Sequence, residues 1–220
     1  MPLARVLEAE VLDTLQQARD YDAMDHDEVN RNFVSDLLAA GAELDEILDL
    51  GAGTAQIPIE ICRQTETPRV LAVDLSLFML DIARLNVEVA GFNQRIMLDL
   101  VDAKRLPYED GRFSAVVSNS IVHHIPAPEG VLREAVRVTA PGGLLFFRDL
   151  RRPEDEVTVE HLVETYAAGA NDDQRRMFED SLRAALDLDE IRRLVDQLGF
   201  AVDTVQMTSD RHWTWSARRR

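Results

Sequence analysis

The residues with the clearest chemical meaning are an acid and two closely spaced glycines within 46–55. An apolar strand that carries Asp49 leads into Gly51 and Gly53, and the segment that follows can begin a helix. A loop of this kind directs backbone N–H groups and a helix N-terminus at a bound ligand, because glycine permits positive φ and a close approach of the backbone. The dinucleotide fingerprint needs a third glycine where this chain has Gln56, so an NAD site is disfavoured.

A second apolar run, residues 69–74, ends in a carboxylate, Asp74. It follows the glycine loop by about 20 residues, the interval at which nucleotide-binding folds place an acid. An acid at the tip of the second strand can accept hydrogen bonds from both hydroxyls of a ribose. The loop and the acid together predict a cofactor with a ribose, and they leave its identity open.

Further motifs continue this order along the chain. A third apolar run, 96–101, leads into Asp102 and Ala103. It is followed by the segment LPYEDGRF at 106–113, an apolar strand at 115–120, and a Pro-Gly-Gly turn with another strand at 141–147. The order and spacing resemble the class I S-adenosylmethionine-dependent methyltransferases, in particular the small-molecule branch that includes quinone- and sterol-methylating enzymes. The resemblance is strong over residues 45–150 and holds only in outline elsewhere.

The resemblance implies S-adenosyl-L-methionine as the cofactor and S-adenosyl-L-homocysteine as its product. It assigns Asp49 and Gly51 to the amino-acid part of the cofactor and Asp74 to the ribose. Leu75 and Met79 are expected to flank the adenine. Structural alternatives stay open: Asp49 and Asp74 as capping or turn-making carboxylates, and Leu75 and Met79 as core residues.

The remaining cofactor contacts follow from the same resemblance. Asp102 is expected to accept a hydrogen bond from the exocyclic amine of the adenine, and the Ala103 N–H to reach a ring nitrogen; a turn-making carboxylate is the alternative for Asp102. Tyr21 resembles the aromatic residue that small-molecule methyltransferases fold over the methionine end, with an anchor for the first helix as its alternative. The predicted set is completed by Ala52, Gly53, Ser118 and Asn119.

Adjacent histidines, His123 and His124, follow the fourth strand within 118–126. This segment lacks the Asn-Pro-Pro-aromatic loop of methyltransferases that modify amino groups of adenine or glutamine, so that class is disfavoured. His123 is predicted to face the substrate as a general base, since an ordinary histidine accepts a proton near neutral pH. His124 is predicted to bond to the backbone. Neighbouring side chains are expected to point in different directions, so no metal site is predicted.

Three further residues, Arg148 at the end of the cofactor-binding core and Tyr166 and Arg175 beyond it, are predicted to contact the substrate by the same resemblance. Arginine binds carboxylate or phosphate groups with a planar fork of donors, and salt bridges to nearby acids are the alternative. Methyl transfer from a sulfonium is an in-line displacement that depends mainly on alignment of the nucleophile. A base is therefore needed only where the acceptor is protonated at pH 7.

Composition restricts the class of partner. The chain of 220 residues has a formal net charge of −16, which disfavours nucleic acid because such binding neutralises phosphates with Lys and Arg. No apolar stretch approaches the roughly 20 residues of a membrane span. The single cysteine, Cys62, allows no internal disulfide, so we expect a buried packing residue and a reducing cytoplasm. We expect a monomer or homodimer with a small-molecule substrate.

The hydrophobic pattern predicts one α/β domain over 1–220, with a Rossmann-like, seven-stranded, mostly parallel sheet and helices on both faces. An N-terminal helical cap is predicted over 1–45, with helices from Leu3 to Leu15 and from Val29 to Leu38 and a polar segment at 18–26. In the cofactor-binding core, 46–150, the predicted strands are 46–50, 69–74, 95–101, 114–119 and 143–149, and the predicted helices are 54–64, 76–91 and 128–139.

The chain beyond the core is predicted to be mainly helical. A helical insertion, serving as a lid or an interface, is expected at 154–184. A C-terminal helix and an edge hairpin are expected over 187–220. The helix covers 187–198 and ends at Gly199, and the last two strands are placed at 200–205 and 211–217.

Together these features predict an enzyme that transfers a methyl group from S-adenosylmethionine to a small molecule. One alternative is a protein of the same fold that binds S-adenosylmethionine or a derivative for non-methylating chemistry or a regulatory role. A methyltransferase acting on tRNA or protein is a further alternative and ranks behind both.

Overall fold

The computed structural model describes residues 3–9, 14–24, 26–41 and 44–220. The chain divides into two units. The glycine-loop unit comprises Val11–Asn119, Glu129–Phe147 and Ser216–Arg220, and the histidine unit comprises Met1–Glu10, Ser120–Pro128 and Arg148–Trp215. The single domain expected over 1–220 stays a prediction.

Parallel strands form the centre of the glycine-loop unit: β1 Glu46–Leu50, β2 Arg69–Asp74, β3 Ile96–Leu100 and β4 Phe113–Asn119. β1 lies between β2 and β4, with Ile47 opposite Val70 on one side and Ala115 on the other. The side chains of Ile47, Leu48 and Leu50 are 0% exposed, as expected of a parallel strand that is covered on both faces.

The helices of this unit are α1 Leu15–Asp22, α2 Asp27–Ala39, α3 Gln56–Gln64, α4 Leu77–Ala90 and α5 Glu129–Val138. Local caps fix several of their ends. The Thr14 and Ser76 side chains accept backbone N–H groups of Gln17 and Met79 at the starts of α1 and α4, which satisfies donors that the helix itself leaves unpaired. Gly91 ends α4 in the left-handed conformation at φ 77°, where a residue without Cβ is favoured.

The histidine unit contains a 3-10 turn at Val122–His124 and a second at Val202–Thr204. Its three longer helices are α6 Glu156–Tyr166, α7 Asp172–Ala184 and α8 Leu188–Gln197. Asp155, Asn171 and Asp187 cap these helices through side-chain oxygens, and the last two form capping boxes. The helical insertion predicted at 154–184 and the helix predicted at 187–198 are both present.

Three more strands complete the sheet: β5 Thr139–Leu150, β6 Val205–Met207 and β7 His212–Arg218. Across the described residues the sheet has seven strands in the order β3-β2-β1-β4-β5-β7-β6, and β6 runs antiparallel to β7. The predicted seven-stranded, mostly parallel α/β fold is confirmed. The strand order reverses between β1 and β4, which is where open α/β sheets bind their ligands.

The predicted N-terminal helix from Leu3 to Leu15 is wrong for residues 3–9, which are not helical, while residues 10–13 lie outside the described residues. Hydrogen bonds to α7 and its end replace local helical bonds here. The Val6 N–H donates to the Arg183 carbonyl at 3.1 Å, and Arg5 Nε donates to the Ala184 carbonyl at 2.6 Å.

α1 instead begins at Leu15 and overlaps the segment that the sequence predicted to be polar linker. The strand predicted at 200–205 is also displaced, because residues 202–204 form a 3-10 turn and β6 begins at Val205. Both the N–H and the hydroxyl of Thr204 donate to the Ala201 carbonyl, which favours the turn over an extended backbone. No helix within the described ranges combines the length and apolar character needed to cross a bilayer.

Candidate functional site

The glycine loop turns sharply between β1 and α3. Gly51, Gly53 and Ala55 have positive φ values of 69°, 55° and 63°. The N–H groups of Gly51 and Ala52 both donate to the Val73 carbonyl at 2.9 Å, which holds the loop against the end of β2. Glycine suits the first two positions because L side chains rarely adopt this conformation, and Ala55 carries a strain of about 1–2 kcal/mol in the same region.

A small hollow lies beside this loop, within the glycine-loop unit. It is lined by Tyr21, His26, Asn30, Asp49, Gly51, Ala52, Thr54, Gln56, Ile57 and Asn119. Three buried side-chain oxygens of this lining have no hydrogen-bond partner among the described residues: Asp49 Oδ2, Thr54 Oγ1 and Asn119 Oδ1. Buried polar atoms are nearly always paired in native proteins, so the hollow is suited to a ligand that donates hydrogen bonds.

Asp49 has the most unfavourable environment of these residues. Its side chain is 2% exposed. Burial raises the pKa of Asp49 well above its usual range, and the Asp74 carboxylate raises it further. A cationic group placed in the hollow offsets both effects, because an opposite charge favours the ionised carboxylate.

Asp74 joins the glycine loop to the start of α4. Its Oδ2 accepts the Gly53 N–H at 2.8 Å and its Oδ1 accepts the Ser76 N–H at 2.8 Å. Burial raises the pKa of Asp74, and the hydrogen bonds from Ser76 and Gly53 oppose the rise. Each carboxylate oxygen keeps a second lone pair, so the side chain can still accept from a ligand.

Tyr21, on α1, closes one side of the hollow. A Cβ atom built on Gly53 would lie 3.7 Å from Tyr21 Cε1, and the Tyr21 and His26 ring centroids are 5.2 Å apart. Burial raises the pKa of Tyr21 to about 12, with Asp74 and Asp49 contributing, so its hydroxyl is protonated at neutral pH. The neighbouring Asp22 accepts from Gln56 and Asn86 and thereby ties α1 to α3 and α4.

The residues predicted around the adenine have mixed surroundings. Leu75 is 41% exposed, whereas Met79 is 6% exposed and packs in a core cluster with Ala18. Asp102 accepts the Lys104 N–H at 2.9 Å and pairs with its ammonium at 3.1 Å. Ala103 is half-buried. The roles expected for these residues stay predictions.

Two other predicted cofactor residues, Ser118 and Asn119, are neighbours at the end of β4 and have different contacts. Ser118 is 1% exposed and its hydroxyl donates to the Leu50 carbonyl at 3.0 Å, which ties β4 to β1. Asn119 lines the hollow. The hollow therefore gathers Tyr21, Asp49, Gly51, Ala52 and Asn119, with Gly53 and Asp74 directly beside it, while Ser118 and Met79 have packing partners of their own.

His123 belongs to the histidine unit, where its side chain is 3% exposed. Its Nδ1 lies 2.5 Å from Asp149 Oδ1, and its Nε2 lies 3.4 Å from Glu8 Oε1. Burial lowers the pKa of His123, but the carboxylates of Asp149 and Glu8 outweigh burial and the net shift is upward. Its role as a general base stays a prediction.

The expectation that the two adjacent histidines point in different directions is wrong. The His123 and His124 ring centroids are 4.1 Å apart with an angle of 36° between the rings, and His124 Nδ1 lies 3.2 Å from Glu8 Oε1. The tight 3-10 turn brings both rings to the same carboxylate. Burial lowers the pKa of His124 to about 3, and the neighbouring His123 contributes.

The three predicted substrate residues also lie in the histidine unit. Arg148 is 7% exposed, and its Nε donates to Thr214 Oγ1 at 2.9 Å. Tyr166 donates to Asp210 Oδ2 at 2.6 Å. Arg175 donates to the Ala167 carbonyl at 3.2 Å and lines a groove of about 320 Å³ between α6 and α7. Their substrate contacts stay predictions.

Sequence reasoning missed three residues that the structure makes prominent. Thr54 follows Gly53 directly, so its place in the loop was a usable signal. Asp149 lies next to the end of an apolar strand, β5, which is close to the signal that identified Asp74 at the end of β2. Glu8 gives no local signal, because only the fold brings it to the histidines.

Comparisons with known proteins show which proteins the chain is similar to. The sequence profile of a family described as "Methyltransferase domain" matches residues 48–147. The chain is 30% identical over 166 residues to a demethylmenaquinone methyltransferase of Mycolicibacterium gilvum, covering 71% of this chain and 68% of that protein. It is 32% identical over 175 residues to a malonyl-[acyl-carrier protein] O-methyltransferase of Geobacter sulfurreducens, covering 77% and 64%.

A solved structure supports the fold alone. The crystal structure of a SAM dependent methyltransferase from Aquifex aeolicus has a TM-score of 0.72 at 15% sequence identity, covering 95% of this chain and all of that chain. The chain spans 37 to 64% of the length of several curated relatives that it matches.

Proposed function

The chain belongs to the class I S-adenosylmethionine-dependent methyltransferases, and from this membership we propose that it methylates a small-molecule acceptor with S-adenosyl-L-methionine. The observation that carries the proposal is the hollow beside the glycine loop, where buried oxygens of Asp49, Thr54 and Asn119 have no partner among the described residues. Each unpaired buried group costs about 1–3 kcal/mol, and a ligand that donates hydrogen bonds there removes this cost.

The hollow fits the amino-acid end of the cofactor. Asp49 Oδ2 is an unpaired carboxylate oxygen, the acceptor that an ammonium group prefers. We assign Asp49, with the backbone of Gly51, Ala52 and Gly53, to this end. Tyr21 lines the same hollow and excludes water from it.

The nucleoside end is assigned to residues that follow β2 and β3. Asp74 accepts from the ribose hydroxyls with the lone pairs that Gly53 and Ser76 leave free. Leu75, which is 41% exposed, flanks the adenine. Asp102 accepts a hydrogen bond from the exocyclic amine of the adenine, and the Ala103 N–H donates to a ring nitrogen. When bound, S-adenosyl-L-methionine supplies a methyl group on a sulfonium, and S-adenosyl-L-homocysteine is its product.

A small acceptor is supported by the relatives and by charge. The names of two relatives specify malonyl-[acyl-carrier protein] and demethylmenaquinone as methyl acceptors. The net charge of −16 disfavours nucleic acid. A monomer or homodimer stays our expectation. A reducing cytoplasm is also expected, and its support is that Cys62 is the single cysteine, buried and unpaired.

Calorimetry tests the cofactor assignment. We expect heat of binding with both S-adenosylmethionine and S-adenosylhomocysteine. Asp74→Ala should weaken binding by about 1.5–3 kcal/mol, the scale of hydrogen bonds to charged groups. Asp81→Ala, which removes an exposed acid of α4, is the control. Unchanged affinity in Asp74→Ala would refute the ribose role, and the absence of heat with either ligand would refute the cofactor.

Label transfer tests the reaction. Protein supplied with methyl-labelled S-adenosylmethionine is incubated with a metabolite extract, with tRNA and with protein, and label is expected in the metabolite fraction. Binding without any label transfer would favour the non-methylating alternative. Label in tRNA or protein would replace the small-molecule proposal.

The His123→Ala variant tests the base role separately. Undiminished turnover in His123→Ala would remove His123 as the general base.

A further inference from the structure

Three side chains of the histidine unit bring potential metal ligands together. Glu8 comes from the N-terminal segment, and His123 and His124 come from the 3-10 turn; one ligand atom of each lies within 4.8 Å of the others. Glu8 Oε1 is 3.4 Å from His123 Nε2 and 3.2 Å from His124 Nδ1. A tetrahedral zinc ion with bonds of about 2.0–2.1 Å places its ligands about 3.3–3.4 Å apart, so the two distances from Glu8 Oε1 to the histidine nitrogens match those of a zinc site.

Two of the three ligand atoms lack a hydrogen-bond partner in the described part of the chain. Glu8 Oε1 and His124 Nδ1 are buried and have no hydrogen-bond partner among the described residues. A carboxylate oxygen and the lone pair of an imidazole nitrogen repel each other at this distance. A cation between them removes the repulsion and satisfies both atoms.

Each of the three side chains also has a hydrogen bond that fixes its orientation. His123 Nδ1 bonds to Asp149 at 2.5 Å, and the Ser181 hydroxyl donates to Glu8 Oε2 at 3.2 Å. The His124 ring has a backbone hydrogen bond to Ala9. Metal-binding histidines typically donate their second N–H to a carboxylate or a carbonyl, and metal-binding carboxylates are hydrogen-bonded in turn.

The supports of the site are themselves fixed. Asp149 accepts the Val122 and Leu150 N–H groups, each at 2.6 Å. Arg5 donates to the carbonyls of His123 and Ile125 at 3.1 and 3.0 Å, which ties the segment carrying Glu8 to the turn carrying the histidines. The ligand geometry therefore does not depend on an exposed, unrestrained side chain.

We propose that Glu8 Oε1, His123 Nε2 and His124 Nδ1 bind one zinc ion. Two imidazoles and a carboxylate suit zinc, and three protein ligands leave its fourth position open to water or another ligand. The ion links the N-terminal segment to the 3-10 turn at Val122–His124.

Zinc binding and the base role of His123 exclude each other, because the ion occupies His123 Nε2, the nitrogen that would accept a proton from the substrate.

Zinc titration of the full chain tests the site. After treatment with a chelator, the protein is titrated with zinc chloride by calorimetry, and the metal content is measured after dialysis. We expect one equivalent of zinc. Cobalt(II) used in place of zinc should give the visible absorption of a tetrahedral site. Less than one equivalent of zinc in the wild-type protein overturns the proposal.

Matched variants locate the ion. Glu8→Gln and His124→Gln should each weaken zinc binding at least about 100-fold, while His161→Gln, which removes an exposed histidine of α6, should leave it unchanged. Ser181→Ala leaves all three ligands in place and should weaken binding about 10- to 100-fold, with an unchanged circular dichroism spectrum. The site is contradicted if Glu8→Gln and Ser181→Ala bind zinc with the affinity of the wild type. It is also contradicted if His161→Gln loses affinity for zinc.

Discussion

Two aspartates buried to a similar degree, one in each unit, have opposite electrostatic character. Asp49 on β1 is 2% exposed and Asp149 on β5 is 1% exposed. Burial raises the pKa of Asp49 well above its usual range. Burial also acts to raise the pKa of Asp149, but the His123 ring and the Leu150 N–H outweigh burial and lower it.

The difference lies in the partners and not in the depth of burial. Asp149 is bonded by the Val122, His123 and Leu150 N–H groups and by the His123 ring, whereas Asp49 Oδ2 has no partner among the described residues. A buried carboxylate with a full set of donors supports its surroundings. A buried carboxylate that lacks them marks the place of a ligand.

The largest expected effect comes from removing the paired carboxylate. Asp149→Ala leaves backbone N–H groups of the 3-10 turn and the His123 ring without an acceptor. We expect the free energy of unfolding to fall by about 3–5 kcal/mol, as when one partner of a buried ion pair is removed. Urea denaturation followed by circular dichroism measures the change.

Asp196→Ala, at an exposed position of α8, is the matched control for Asp149→Ala. Its free energy of unfolding should stay within about 0.5 kcal/mol of the wild-type value. A similar small change in Asp149→Ala would mean that the partners of Asp149 contribute nothing, and the contrast with Asp49 would be lost.

A smaller effect is expected on cofactor binding when the unpaired carboxylate is neutralised. Asp49→Asn keeps the shape of the side chain and removes the charge that would face an ammonium group. We expect the affinity for S-adenosylhomocysteine to weaken by about 1.5–3 kcal/mol, measured by calorimetry. Asp45→Asn, at the exposed position just before β1, should bind as the wild type does. Equal affinities would place the ammonium elsewhere.

The smallest effect is a gain in stability from the same variant without ligand. A raised folded-state pKa means that the native state holds the proton longer than the unfolded state, so Asp49 reduces stability as pH rises above the unfolded-state pKa. Asp49→Asn should therefore unfold with about 0.5–2 kcal/mol more free energy at pH 7.5. The gain should shrink at pH 5, where more of the wild-type carboxyl is protonated. A loss of stability at pH 7.5 would show that Asp49 has a partner.

Much of the fold followed from local pattern. The bounds of β1 and β2 were predicted to the residue, because apolar runs that end in an acid or a glycine mark buried parallel strands. The predicted N-terminal helix was wrong, because residues 3–9 bond to α7 and its end, which no local pattern encodes.

The candidate site was predictable where its residues are neighbours in sequence. Gly51 and Asp49 share one loop and strand, and Asp74 ends the adjacent strand, so parallel pairing alone brings them together. The cofactor roles of Met79 and Ser118 stay predictions, and the pattern gave no sign that Met79 packs in a core cluster or that the Ser118 hydroxyl bonds to Leu50. Such contacts depend on packing across elements.

The sequence by itself determined the succession of strands and helices in the core, the glycine loop and the acids at the strand ends, because these depend on side-chain periodicity and on the φ that glycine permits. Only the tertiary structure decided which buried polar atoms are paired. Asp49 and Asp149 look alike in sequence, each within an apolar strand. Their pKa values shift in opposite directions because the fold brings Val122 and His123, distant in the chain, to Asp149 as hydrogen-bond partners. It brings no partner to Asp49 Oδ2 among the described residues.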